Sequence, residues 1–230
     1  QGLTTVIGYV KDNAGNEGVC SLDVRVGAPK PKFDIEYGYQ IYPNKEKNTM
    51  TGITASGTNL TTTNTTPTIE FTGLNNYKEV NRVVIHFNEE IPQNTPAKII
   101  HGTGETRGVL VAGQKTTEII IPKGTYTNLK VVLGELSGIT YKINKIELMV
   151  GDRSTLYTNK NVTVNLEPKE EVVRTTNYSF DNGTTWQTTN MKEFAENTTG
   201  KAKTKNIATL ESLEVTYSIQ NIDKNIPTVA

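Results

Sequence analysis

The amino-acid sequence predicts an all-β protein built on an antiparallel β-sandwich. Short segments alternate apolar and polar residues, as strands with one buried face do. Turn residues, mainly Asn, Asp, Gly and Pro, separate these segments at the spacing of roughly 8–12 residues that is typical of sandwiches. No stretch carries the apolar stripe of a helix, so the alternation decides the fold class.

Composition limits the partners that such a chain can have. Its 24 basic and 24 acidic residues cancel, which argues against a nucleic-acid backbone or an anionic membrane as the partner. The one cysteine, Cys20, excludes a disulfide framework within the chain. No apolar run has the length of a transmembrane helix. A polar, cysteine-poor β-protein is typical of bacterial surfaces, so we expect an extracellular, cell-surface location.

Prolines and charged residues divide the sequence into three predicted domains, residues 1–28, 29–168 and 169–230. In the first, "TTVIGYV" and "CSLDVRV" predict two strands around the turn "KDNAGNEG". A two-stranded hairpin is unstable alone in water. We therefore expect this hairpin either to pack on the central domain or to complete the C-terminal one.

The central segment, residues 29–168, reads as one strand after another and supplies the candidate binding module. In "VNRVVIHFNEEI", Val83, Ile85 and Phe87 alternate with Val84 and His86, which predicts a strand. The polar stretch "GTNLTTTNTTPT" predicts a mobile loop because it is low in complexity.

The C-terminal segment opens with "YSFDNGTTWQ", which alternates, turns on Asn182-Gly183 and ends near Trp186, the only tryptophan. Asn-Gly between two alternating runs is a strong hairpin signal. A last strand is predicted in "LEVTYSIQNIDKNIPT", where Val215, Tyr217 and Ile219 alternate.

The two ends of the chain resemble the bacterial Ig-like repeats of Gram-positive surface proteins. The motifs are "YSFDNGTTWQ" and "IQNIDKNIPT" in the C-terminal segment and "VKDNAGN" near the start. The third motif and the first two come from different repeats, and "TKNIATLES" departs from the family pattern. The resemblance implies neighbouring Ig-like domains of the same polypeptide, with Trp186 as a packing residue. Most such repeats are spacers.

The central segment more loosely resembles the galactose-binding-like jelly rolls of carbohydrate-binding modules. The strand order, "TYTNLKVVL" and the closing "YKINKIELMVGD" carry this resemblance. It implies a jelly-roll-like sandwich that binds a glycan. It also leaves calcium open, with no ligands assigned, because "DNAGN" and "FDNG" are interpreted first as turns.

Five residues are the candidate ligand-binding set. His101, Glu105 and Arg107 lie in "IIHGTGETRG", where a polar hairpin loop is the simpler interpretation. As a binding loop, the trio could hydrogen-bond sugar hydroxyls, and Arg107 could pair with the carboxylate of an acidic sugar. Tyr77 and Tyr126 lie in apparent loops, where each ring could stack on a sugar or pack beside its own strand.

Catalysis finds little support in the sequence. Glu89 and Glu90 are neighbours on a predicted strand, so their side chains point to opposite faces. Glycoside hydrolysis needs two carboxylates facing one cleft. Of the two histidines, His86 reads as a half-exposed strand residue. Neither a metal site nor a catalytic residue is assigned, and lysines and asparagines are too many to nominate an isopeptide cross-link.

We therefore expect a non-catalytic module of a bacterial cell-surface protein that binds a glycan or another host ligand, as an adhesin or carbohydrate-binding module does. The alternative is a purely structural stalk, pilus-like or surface-layer spacer. Exposed aromatic and polar residues that converge on one concave patch would favour binding over the spacer.

Overall fold

A computed structural model describes residues 2–26, 30–43, 48–102, 104–151, 157–169 and 174–225. Within those ranges the chain forms strands and no α-helix, which confirms the all-β prediction. The strands are β1 (Gly2–Lys11), β2 (Glu17–Val26), β3 (Phe33–Tyr42), β4 (Asn48–Thr51), β5 (Ile53–Ser56), β6 (Asn59–Thr62), β7 (Thr68–Phe71), β8 (Val80–Phe87), β9 (Thr95–His101), β10 (Gly104–Leu110), β11 (Thr116–Gly124), β12 (Leu129–Val132), β13 (Thr140–Val150), β14 (Val162–Pro168), β15 (Thr175–Ser179), β16 (Met191–Phe194), β17 (Thr198–Asn206) and β18 (Val215–Ile219).

The chain divides into two compact units, each made of separate segments. The first unit holds Gln1–Asp34, Glu167–Asn190 and Lys201–Thr216. The second holds Ile35–Leu166, Met191–Gly200 and Tyr217–Ala230. The three sequence domains divide the chain differently and stay a prediction.

Two antiparallel sheets build the second unit. One runs β10-β9-β12-β7-β4, and the larger runs β11-β8-β13-β3-β14-β16, with β5 and β6 joined to it through β13. Each sheet buries a row of apolar side chains, and these rows form the core of the sandwich. The five-stranded sheet contributes Ile69, Phe71, Ile99, Leu129 and Val131, and the larger sheet contributes Val83, Ile85, Ile146 and Leu148.

The alternation of apolar residues predicted strand β8 correctly, but more of its side chains are buried than the alternation indicates. Val83, Ile85 and Val84 are all buried, although successive side chains point to opposite faces. β8 is an inner strand of its sheet, with β11 and β13 paired along its two edges.

The predicted mobile loop is partly wrong. Asn59–Thr62 forms β6, which pairs with β5 and with Thr140–Lys142 of β13. Its one large apolar residue, Leu60, is completely buried and lies opposite Tyr141. The hydroxyls of Thr61 and Thr140 hydrogen-bond across the strands at 2.8 Å. A single buried leucine thus fixes a stretch whose composition indicated a loop.

The N-terminal hairpin forms as predicted. β1 and β2 pair without a break from Gly2↔Val26 to Lys11↔Glu17, and in the described part of the chain they join no other sheet. Asp12 builds the turn, since its carboxylate accepts hydrogen bonds from the backbone N–H groups of Ala14 and Asn16, each at 2.9 Å. The side chains between Thr5 and Ser21 are exposed, Cys20 included.

The turn at Asn182-Gly183 is confirmed, but the second arm of its hairpin is irregular. Asn182 and Gly183 have φ angles of 59° and 89°, and the Thr184 N–H donates to the Asp181 carbonyl at 3.3 Å. These features define a type I′ turn. The arms meet at a Tyr178–Gln187 bridge, and β15 pairs with β17 along its length.

Changing Asn182 should test the left-handed conformation of this turn. Asn182→Val should lower the free energy of unfolding by about 1–2 kcal/mol, because a β-branched residue resists positive φ. Asn182→Gly is the matched control and should stay within about 0.5 kcal/mol of the parent. Denaturant unfolding followed by the fluorescence of Trp186 measures both. A valine variant as stable as the parent would contradict the assignment.

Candidate functional site

The outer face of the five-stranded sheet gathers charged residues from four strands. We define the outer face by six side chains that are exposed or half-buried: Glu70, Lys98, Ile100, Glu105, Arg107 and Lys130. The alternate residues on the same strands point into the core. Strand register sets the arrangement, because Ile100 lies opposite both Glu105 and Lys130, and Lys130 lies opposite Glu70. Arg107 lies opposite Lys98 on the edge strand.

Ion pairs link these side chains across the strands. Glu105 accepts from Lys98 Nζ at 2.9 Å and from Arg107 Nε at 3.1 Å, with a different oxygen for each cation. Lys130 Nζ lies 3.3 Å from a carboxylate oxygen of Glu70. The hydrogen bond from Lys98, together with the one from Arg107, holds the pKa of Glu105 below its ordinary value. Glu105 therefore stays ionised at neutral pH and in mild acid.

Two pockets open on this face. One of about 440 Å³ is lined by Glu70, Ile100, Lys130 and the loop from Thr125 to Asn128. The other, of about 230 Å³, is lined by Lys98, Arg107, Val109 and Glu135 among others. Both combine apolar surface with charged groups, the composition by which a protein orients a small polar ligand.

His101 is separated from its predicted companions. It ends β9 on the core-facing side, where its Nε2 lies 3.0 Å from Thr106 Oγ1 and its ring centroid lies 5.5 Å from that of Tyr126. Glu105 and Arg107 alternate with Thr106 and so point to the outer face. The interpretation of this segment as a polar loop is wrong for both residues, since they belong to β10 and only a short turn separates β9 from β10.

The two candidate tyrosines occupy different environments. Tyr126 borders the larger pocket, rests on His101 and donates its hydroxyl hydrogen to the Pro122 carbonyl. Tyr77 packs on the buried Tyr39 with ring centroids 5.5 Å apart, which matches the alternative of packing beside a strand. Burial raises the pKa of both tyrosines. The outer face thus unites Glu105, Arg107 and the border residue Tyr126, and leaves out Tyr77 and the ring of His101.

Sequence reasoning missed Lys98, Lys130, Glu70 and Ile100. Lys130 and Glu70 lie far from Arg107 in sequence, Lys98 and Ile100 lie on the preceding strand, and strand pairing brings all four to one face. Their available signal was alternation, since Glu70, Lys98 and Lys130 each lie between two buried apolar residues in their strands.

One of the two acidic residues considered for catalysis is held in an ion pair. Glu89 pairs with Lys142. His86, expected half-exposed, has a side chain that is 20% exposed, and its Nε2 lies 2.8 Å from the buried Glu147.

The carboxylates of Asp12 and Asp181, each in a turn, accept hydrogen bonds from neighbouring residues of the chain. Asp181 accepts from the Thr185 N–H at 2.8 Å and from the Thr185 hydroxyl at 2.6 Å, much as Asp12 does in its own turn. No group of three or more His, Cys, Asp or Glu side chains could hold a metal ion in the part of the chain that the structure describes. No helix in the described part of the chain is long and apolar enough to cross a membrane.

A buried acid lies beside an asparagine in the larger sheet, but its cation is an arginine. Asn165 Nδ2 donates to Glu36 at 3.3 Å, and the cation paired with Glu36 is Arg82. An isopeptide cross-link needs the primary amine of a lysine, so this trio does not form one.

Fold and site together define an all-β sandwich protein with a polar, mixed-charge sheet face. Comparison with known families finds no family model that matches the chain, and comparison with curated proteins finds no match either.

Proposed function

We propose that this chain is a non-catalytic binding module of a bacterial cell-surface protein and that it holds a glycan on the outer face. The observation that carries the proposal is the strand register that places Lys98, Arg107 and Lys130 on one face beside two pockets. The Ig-like resemblance of the chain ends supports a place among other extracellular domains.

The chemistry of the face favours a sugar that carries a carboxylate. Arg107 keeps 77% of its side chain exposed while it contacts Glu105, so its guanidinium can pair with a second anion. Lys98 and Lys130 add positive charge on neighbouring strands. The exposed loop around Asn128 offers hydroxyl and amide groups for neutral sugar hydroxyls.

A glycan array probed with the whole chain tests the proposal. We expect binding to acidic glycans, and Arg107→Ala and Lys98→Ala should each weaken it about tenfold, since a hydrogen bond to a charged group contributes roughly 1.5–3 kcal/mol. Lys142→Ala is the matched control, a half-exposed lysine of the same unit that lies off the outer face and pairs with Glu89, and it should bind like the parent.

Absence of binding to any glycan by the folded protein at high concentration would refute the proposal. That outcome would favour the structural spacer, whose surface needs no ligand site. Retention of full binding by both the Arg107 and the Lys98 variants would move the site away from the outer face.

A further inference from the structure

The N-terminal hairpin presents an apolar surface that its own chain leaves uncovered. Tyr9 is 76% exposed and Val19 is 63% exposed, and strand register places them opposite each other on one face together with Ile7. Lys11 and Glu17 close this face at the turn, 2.9 Å apart. Large exposed apolar patches of this kind mark interaction sites.

A groove with apolar side chains in its lining lies elsewhere in the first unit. It has a volume of about 470 Å³, and its lining includes four apolar side chains, Pro31, Phe33, Leu213 and Val215. Leu213 is 74% exposed, so the groove is open to a partner.

Charge at the groove complements charge at the hairpin turn. The groove is lined by three lysines, Lys30, Lys32 and Lys169, and by one carboxylate, Asp34, which already pairs with Lys169 at 3.0 Å. From Lys11 to Cys20 the hairpin carries two acids, Asp12 and Glu17, and one base. The surroundings of the groove are therefore net positive and those of the hairpin turn net negative, so the two surfaces are complementary in charge.

The hairpin face around Tyr9 and Val19 does not fill the groove of its own chain. Nine residues of strand separate the turn from the base at Val26, which is about 30 Å. Pro31 follows Val26 by five residues, which span at most about 18 Å. The exposure of Tyr9 and Val19 agrees with this, because neither side chain is covered within the chain.

We propose that the hairpin of one copy docks in the groove of a second copy, with Tyr9 among Phe33, Leu213 and Val215 and with Glu17 beside Lys30 and Lys32. The two surfaces differ, so the contact is head-to-tail, and one contact per pair of copies leaves surfaces to which further copies can bind. A pair that shares one contact keeps one free hairpin and one free groove, so that further copies add in a row. Tyrosine is a common anchor at the centre of such contacts.

Sedimentation equilibrium of the whole chain, in reductant so that Cys20 stays a thiol, tests the proposal. The mean mass should rise past that of a dimer as the concentration increases from micromolar to near-millimolar. Tyr9→Ser and Leu213→Ser should each lower the association constant at least about tenfold. Both side chains are exposed, so neither change should disturb folding.

Mixing the two variants gives the sharper result. The Tyr9→Ser copy keeps its groove and the Leu213→Ser copy keeps its hairpin, so a mixture should form one-to-one dimers and nothing larger. A parent that stays monomeric throughout would overturn the proposal. So would an association that Tyr9→Ser abolishes and Leu213→Ser leaves intact, since that pattern means contact between two hairpins.

Discussion

Replacement of Arg82 by alanine should lower the free energy of unfolding by about 3–5 kcal/mol, because it leaves a buried carboxylate without its cation. The side chains of Arg82 and Glu36 are 6% and 5% exposed and form an ion pair. Arg82 also donates to Glu118 at 2.8 Å, while Asn81 and Asn165 donate to Glu36. The guanidinium thus satisfies two acids that come from different strands.

Urea unfolding of the Arg82→Ala variant measures this loss. Lys11→Ala is the control, because Lys11 and Glu17 form an ion pair in which both side chains are more than 60% exposed, and it should change stability by less than about 1 kcal/mol. The double variant Glu36→Leu/Arg82→Met should recover much of the stability, since it removes both buried charges. Equal, small effects of Arg82→Ala and Lys11→Ala would contradict the role of the pair.

Glu147→Gln should lower the free energy of unfolding at neutral pH by about 2–3 kcal/mol and flatten the acid limb of the stability profile. Burial alone would raise the pKa of Glu147, but the hydrogen bond from His86, the charge of Lys145 and the hydrogen bond from Thr163 outweigh it and hold that pKa below its ordinary value. The contacts are 2.8 Å to His86 Nε2, 3.1 Å to Lys145 Nζ and 2.6 Å to Thr163 Oγ1.

The direction of the pH effect follows from the lowered pKa of Glu147. The carboxylate stabilises the fold fully above its unfolded pKa of about 4.3, and this contribution disappears as the pH falls through the lower folded pKa. Unfolding measured from pH 7 downward should therefore show a loss in the parent that Glu147→Gln lacks. Glu17→Gln, on the exposed hairpin, should leave the acid limb unchanged. An acid limb equally steep in parent and Glu147→Gln would assign the loss to other groups.

Local alternation was enough to predict most strands, and long-range pairing explains what it missed. The spacing of Val83, Ile85 and Phe87 predicted β8 because it repeats over a whole strand. β6 escaped because Leu60 is its only large apolar residue, and the partner that buries it, β13, lies far along the chain.

The candidate site shows the same division between local and distant information. Glu105 and Arg107 were found because they are neighbours in sequence and polar. Their companions Lys98 and Lys130 reach the same face through the pairing of β9 with β10 and β12. His101 was grouped with them by proximity in sequence, yet the alternation of the strand turns its ring to the other side. Register, which depends on the partner strand and so cannot be read from one strand alone, decides the membership of the site.

The thiol of the one cysteine is a site at which the molecule can be labelled with a fluorophore. Cys20 is the only cysteine, it is exposed, and it faces Gly8 on the hairpin. A fluorophore attached there would label one point per molecule without any engineered substitution. Energy transfer between donor- and acceptor-labelled molecules would then follow the hairpins alone, and air oxidation would join two molecules covalently at this same point.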